Sequence, residues 1–230
     1  MSPWLRRRQR LDRLAAGLLG LVAAPLVAVL AGLARRGSPG PGLIGLERVG
    51  RAGATFRIWK VRTMVAAGPD GSAGGPPITE ADDPRITPVG RRLRQCRLDE
   101  LPQLWNVVRG EMALIGPRPE APGYVDAGDP RWAAVLRSRP GLAGPTQLVV
   151  ADWEATLIVS GAGDAYADRI LPVKLAIDRW YVEQATPMID LAVLAAVVER
   201  FAFGRHRTWL HRLVEAAVPL ATQARVGCRG

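Results

Sequence analysis

The sequence predicts an α+β, mainly helical fold in which a membrane-embedded, re-entrant helical hairpin is joined to a small cytoplasmic domain with interfacial helices. Three observations predict it. Leu14 to Ala34 is a run of 21 residues without a charge, bracketed on both sides by arginines. Between Thr55 and Ile115, strand-like and helix-like patterns alternate over short stretches. From Leu171 the pattern is helical, and from Ile189 to Phe203 it is strongly apolar. The expected segments are 1–37 for the membrane part, 38–190 for the cytoplasmic domain and 191–230 for an apolar or interfacial helix with a basic tail.

With 230 residues and 48% hydrophobic content, the chain can bury one sizeable core, or a core plus a membrane segment. Formal net charge is +10, and its placement says more than its size: Met1 to Thr63 holds 12 basic and 2 acidic residues, leaving 19 of each beyond. A nucleic-acid binder needs basic residues spread over a groove-facing surface, which this distribution argues against. Basic residues beside an apolar run are attracted to an anionic membrane, at roughly 1 kcal/mol each. The two cysteines, Cys96 and Cys228, give no framework of paired spacings, so a reducing cytoplasm is expected and Cys96 reads as a packing residue. Both histidines, His206 and His211, lie near the C-terminus. The central region therefore has no imidazole for a Ser-His-Asp arrangement or a histidine-rich zinc site, and its acid–base work falls to carboxylates.

As one helix, Leu14 to Ala34 would measure about 31 Å, enough to span a bilayer. Pro25 sits near its middle, where it removes a backbone hydrogen bond, so a break is expected there. Arg6, Arg7, Arg8, Arg10 and Arg13 on one side and Arg35 and Arg36 on the other ask for both ends to stay on the cytoplasmic face. Those features favour a re-entrant hairpin; an ordinary membrane-crossing helix is the alternative.

Ser38 to Gly45 reads as an exit loop, and Thr55 to Arg62 as a strand that puts Lys60 and Arg62 on one edge. Two cations there suit phosphate, or equally a solvated basic edge. The Gly, Pro and Ser content of Gly68 to Pro77 marks a loop. Thr87-Pro88 is a helix start, a hydroxyl cap followed by a proline at the first helical position, and Arg91, Arg92, Arg94 and Arg97 lie on that helix.

Asp99 then falls where a second helix should begin, with Leu101, Leu104, Trp105 and Val108 as its apolar stripe and Gly110 as its stop. A helix start carries free N–H groups and partial positive charge, which keep a carboxylate ionised and attract phosphate. By itself this motif is satisfied by Asp99 as a cap and Glu100 as a favourable first-turn charge. What adds chemistry is Leu114-Ile-Gly-Pro117-Arg118-Pro119, where two prolines stiffen the backbone around an arginine suited to bidentate phosphate contact.

These residues resemble the bacterial sugar transferase family, the monotopic polyprenyl-phosphate phosphoglycosyl transferases. The resemblance runs from the hairpin through Val49-Gly50-Arg51, Phe56 to Met64, Asp83 to Thr87, Leu98 to Pro119, Pro140 to Gly144 and Leu171 to Leu191; the Leu98 to Pro119 block carries the specificity. It implies a catalytic domain that transfers a sugar 1-phosphate from a UDP-sugar to a polyprenyl (undecaprenyl) phosphate, with Mg²⁺ as cofactor. Asp99 would be the nucleophile, forming an aspartyl phosphosugar as UMP departs, and Glu100 would assist as metal ligand or base. Arg94 and Arg118 match family positions thought to hold phosphate, and Lys60 and Gln103 match further motif positions. The expected setting is the cytoplasmic face of the bacterial inner membrane, on anionic lipid, with no nucleic acid and with room for a homo-oligomer. Two departures, Ala24 before Pro25 and Val61 where an aromatic is usual, touch hairpin geometry and packing. A catalytically silent membrane-surface adaptor is the alternative, and the intact Asp99, Glu100 and Arg118 count against it.

In the C-terminal part, Leu171-Pro172 begins a helix with Lys174, Asp178 and Tyr181 on nearby faces. Ile189 to Phe203, followed by Trp209 among basic residues, fits an interfacial helix or a core helix with a basic tail.

Overall fold

The computed structural model describes residues 1–74, 83–150, 166–203 and 209–221; Gly75 to Pro77 of the expected loop, His206 and Cys228 lie outside them. Among the described residues the fold is mainly helical with two small sheets, as expected. Helix α1 (Pro3–Arg7) starts at Ser2, whose side chain accepts from Trp4 N, and leads into α2 (Gln9–Gly37).

The expected break at Pro25 does not occur: α2 runs through it as one helix of 29 residues. A proline costs one backbone hydrogen bond, and here the helix is held on both sides of it by packing. Ala16 lies with Ile58, Leu104, Val107 and Met112, joined by Ala23. Leu30 and Ala34 pack with Val61 and Leu93. The same domain thus receives both halves of α2, through mostly small residues. Leu14, Leu18, Leu21, Val22, Leu26 and Val29 point the other way and are exposed.

Strands β1 (Leu43–Val49) and β2 (Thr55–Val61) form an antiparallel pair in which Ile44 faces Lys60 and Arg48 faces Phe56. After β2, Thr63 O accepts from Thr87 N, which docks α3 (Pro88–Gln95) beside the strand end. The docking is close enough that a Cβ at Gly90 would collide with Thr63 O. Thr87 caps α3 as expected, accepting from Gly90 N at 2.9 Å. Cys96 follows at the end of α3 and is exposed, not packed.

The second helix differs from expectation. Leu98 to Gln103 is a 3₁₀ turn containing Pro102, and only Leu104 to Arg109 is α-helical (α4), stopped by Gly110 at φ 80°. A 3₁₀ turn has about three residues per turn and so rotates the following residues off the 3.6-residue pattern. Leu104 and Val107 are consequently buried, while Trp105 is 56% exposed.

Strand β3 (Ala113–Ile115) pairs in parallel with β4 (Gly141–Ala143), after the short helix α5 (Pro130–Val135). Gly116 and Gly141 approach so closely that a Cβ on either would strike the other's backbone. Helix α6 (Pro145–Val149), a turn at Tyr166–Ile170, α7 (Leu171–Gln184), α8 (Pro187–Phe203) and α9 (Trp209–Ala217) follow among the described residues. The main core gathers Val150, Ile170, Ile177, Tyr181, Val182, Val193, Leu210 and Val214. Helix α8 gives Ala192, Val193 and Ala196 to that core and leaves Met188, Leu191, Leu194, Val198 and Phe201 exposed at helical spacing.

Candidate active site

Groups from β2, α3, the 3₁₀ turn and the segment after β3 converge on Asp99 and Glu100. Arg97, at the end of α3, is left-handed (φ 56°) and turns the chain into the 3₁₀ segment, where Asp99, Glu100 and Gln103 are all buried. Asp99 is therefore not the cap of an α-helix; it lies inside a tighter turn.

Glu100 is gripped by three cations. Lys60 Nζ donates to Oε1 at 2.7 Å and Arg118 Nη2 to the same oxygen at 3.3 Å, while Arg97 Nη1 reaches Oε2 at 3.4 Å. Burial pushes the carboxyl up, but Lys60, Arg118 and Arg97 outweigh it and hold Glu100 well below the usual carboxylate range. Asp99 goes the opposite way. Burial raises it and the Glu100 charge adds to the rise, against Lys60, whose Nζ lies 3.9 Å from Oδ2, and against Arg94 and Arg97. Two adjacent carboxylates thus have different roles available: one neutralised by a cage of cations, the other more basic and less committed.

Arg94 is fixed by its Nε donating to Thr63 Oγ1 at 2.8 Å, and Asp99 is the acid that acts on it most strongly. Burial lowers the Lys60 ammonium against the pull of Glu100. Lys60, Arg94 and Arg118 are thus brought to the pair, and Gln103 is buried in the same 3₁₀ turn. Arg62 is not brought there. It follows β2, and its guanidinium turns to the end of α2, donating to Ser38 Oγ and to the carbonyls of Ala34, Ser38, Pro39 and Gly40 at 2.6–3.3 Å. Those carbonyls have no partner within the helix, which is why a buried cation serves there.

Sequence reasoning missed three supports. Arg97, which the sequence puts on the helix, lies beyond its end at Gln95 and pairs with Glu100; the spacing of three residues was the available signal. Asn106, fully buried, donates to Arg57 O at 2.8 Å and Glu111 Oε2 at 2.7 Å and accepts from Trp59 N, tying α4 to β2. Glu120, two residues after Arg118, meets Lys174 Nζ at 2.8 Å and Tyr166 Oη at 2.9 Å, anchoring the Pro117–Pro119 segment to α7.

No group of three or more His, Cys, Asp or Glu side chains suited to a metal occurs among the described residues. Two neighbouring carboxylates nevertheless suit Mg²⁺, which keeps several waters and takes further oxygens from substrate phosphates. Because Glu100 is engaged by three cations, Asp99 is the better placed ligand.

The sequence profile of the bacterial sugar transferase family matches residues 4–204, which include every group just described. The chain belongs to the bacterial sugar transferase family. Among relatives of this bacterial sugar transferase, the UDP-glucose:undecaprenyl-phosphate glucose-1-phosphate transferase of Caulobacter vibrioides is 44% identical over 147 residues, covering 62% of this chain and 53% of the relative. The exopolysaccharide production protein ExoY of Sinorhizobium fredii is 34% identical over 202 residues, 82% of either chain. The undecaprenyl-phosphate galactose phosphotransferase of Salmonella typhimurium is 36% identical over 190 residues, 76% of this chain and 36% of that one. The chain thus spans about half of the first relative, most of the second and about a third of the third.

Proposed function

We propose that this bacterial sugar transferase moves a sugar 1-phosphate from a UDP-sugar to undecaprenyl phosphate, initiating a lipid-linked glycan at the cytoplasmic face of the inner membrane. The observation that carries the reading is the contrast between Asp99 and Glu100. In the first half-reaction an Asp99 oxygen attacks the sugar-bearing phosphorus, and the bond to the bridging oxygen breaks with its electron pair leaving on UMP. In the second, an oxygen of undecaprenyl phosphate attacks the same phosphorus and returns Asp99 as a carboxylate. The atoms balance without a redox step, and the covalent aspartyl phosphosugar divides one displacement between two anions into two.

Glu100 keeps Lys60, Arg97 and Arg118 together, so that the cations face the incoming diphosphate without being free to collapse onto Asp99. Arg94, held by Thr63, stands on the Asp99 side of the pair. Mg²⁺, held by Asp99 with Glu100 at its flank, would add neutralisation of phosphate charge. The relatives' names carry different sugars, glucose and galactose, with undecaprenyl phosphate in common, which supports undecaprenyl phosphate as the acceptor.

Membrane placement fits the acceptor. Both halves of α2 lie on one domain, its other side is apolar and exposed, and α8 presents a second apolar stripe. A re-entrant α2, bent at Pro25 without losing its helical continuity and with both basic ends at the cytoplasmic headgroups, would accommodate all three features.

The test is nucleotide release by protein in nanodiscs with Mg²⁺, undecaprenyl phosphate and a panel of UDP-sugars, beside Asp99→Asn. UMP release that needs Asp99, with a sugar-phosphate mass retained on the protein when the acceptor is withheld, is the expected result. Release of UDP would mean ordinary glycosyl transfer and overturn the mechanism.

A further inference from the structure

A narrow, shallow cleft lies among α1, the start of α2, β3 and the segment before β4, lined by Arg8, Arg51, Arg137 and Arg139 together with Ile115 and Pro117. None of Lys60, Asp99, Glu100 and Arg118 lines it. Its four arginines are not equivalent. Arg8 is buried, paired with Asp190 and with Asp12 at 3.4 Å, and donates to Ile115 O. Arg137 pairs with Glu183 at 3.7 Å. Arg51 and Arg139 form no ion pair among the described residues, and neither does Arg13, which flanks Arg139.

Three guanidinium groups gathered with so little compensation repel one another and raise the affinity of the place for an anion. Burial lowers the Arg139 guanidinium, Arg51 and Arg13 lower it further as like charges, and Asp12 opposes them. The three are held in place independently. Arg13 Nε donates to Val108 O at 2.8 Å, Ala52 N next to Arg51 donates to Leu136 O at 2.8 Å, and the Arg139 guanidinium lies against Gly110, about 3.7 Å from where a Cβ would stand. Forked donors from several directions suit the tetrahedral oxygens of a phosphate.

The position selects the source of that phosphate. Arg13 immediately precedes the exposed apolar face that opens with Leu14 and Leu18, and α4, which Arg13 grips, exposes Trp105. An arginine at the edge of an apolar surface beside an exposed tryptophan marks headgroup depth. We propose that Arg13, Arg51 and Arg139 form a site for the phosphate of an anionic membrane lipid, separate from the Asp99 and Glu100 site. It rests on the membrane placement proposed above, not on the chemistry at Asp99, and would hold the basic start of α2 at the surface.

The experiment uses the full chain in neutral detergent, with phosphatidylglycerol, phosphatidylcholine and inorganic phosphate as probes, read by native mass spectrometry and by the thermal midpoint. Phosphatidylglycerol should be retained and raise the midpoint, with phosphatidylcholine doing neither. Arg51→Gln, at an exposed position, should weaken retention about tenfold and Arg51→Lys much less; Arg51→Gln/Arg139→Gln should abolish the preference. UMP release in neutral nanodiscs should persist in all of them, which separates failure of this site from failure of the catalytic reading. Equal retention of phosphatidylglycerol by wild type and Arg51→Gln overturns the site. Inorganic phosphate stabilising the wild type as well as phosphatidylglycerol, with no preference for the lipid, overturns the lipid assignment in favour of free phosphate.

Discussion

Asp99 and Glu100 are neighbours in sequence and differ in what surrounds them. Both are buried, but Glu100 has three cations within 3.4 Å, whereas the closest cation to Asp99 is Lys60 at 3.9 Å. Asp178 poses the same question in the core. It accepts from Thr146 Oγ1, and burial pushes it up to about 7 despite that bond and Lys174. The folded carboxyl keeps its proton where the unfolded chain, at 3.8, has lost it. Stability from this group is thus complete below pH 4 and falls as pH rises to about 7, by on the order of 4 kcal/mol at ~1.4 per pH unit. Asp178→Asn should flatten the decline of the thermal midpoint between pH 5 and 8 in detergent; an unchanged slope would assign the decline to another group.

Among the elements, α2 depends on a residue that its own sequence does not contain. Arg62 supplies the donors for the buried carbonyls of Ala34 and Ser38 and also reaches those of Pro39 and Gly40 at the exit. Arg62→Lys cannot reproduce the fork and should cost about 3 kcal/mol, from lost charge-assisted bonds worth roughly 1.5–3 kcal/mol each. Thermal unfolding in detergent measures it, and UMP release at a permissive temperature should stay within about threefold of wild type. Lost activity at unchanged stability would return Arg62 to the substrate side. The 3₁₀ turn is the other element that matters, because it rotates α4 so that Trp105 leaves the core and buries Asp99 and Glu100 together.

For the whole molecule, the re-entrant placement proposed for α2 requires that its two basic ends share a side of the membrane. Arg10 and Gly37 are both exposed. In a background lacking Cys96 and Cys228, Arg10→Cys and Gly37→Cys should both react with an impermeant maleimide only from the cytoplasmic side of sealed vesicles. Labelling from opposite sides would make α2 a crossing helix and overturn the re-entrant placement.

By itself the sequence determined the pieces whose signals are local: the Thr87-Pro88 cap, the Gly110 stop, the apolar run, and the grouping of Asp99, Glu100 and Arg118 in one motif. Each depends on spacing within a few residues, through capping, backbone stiffness or hydropathy. The tertiary structure decided what depends on distant partners. Pro25 looked like a break because a proline weakens an isolated helix, and packing on Ile58, Leu104, Val61 and Leu93 kept it whole. Lys60 and Arg62, two residues apart, were separated because one meets Glu100 and the other the end of α2. Lys174 supports Glu120 across 54 positions of chain, and no local pattern could reveal that, since electrostatic partners are chosen by proximity in space.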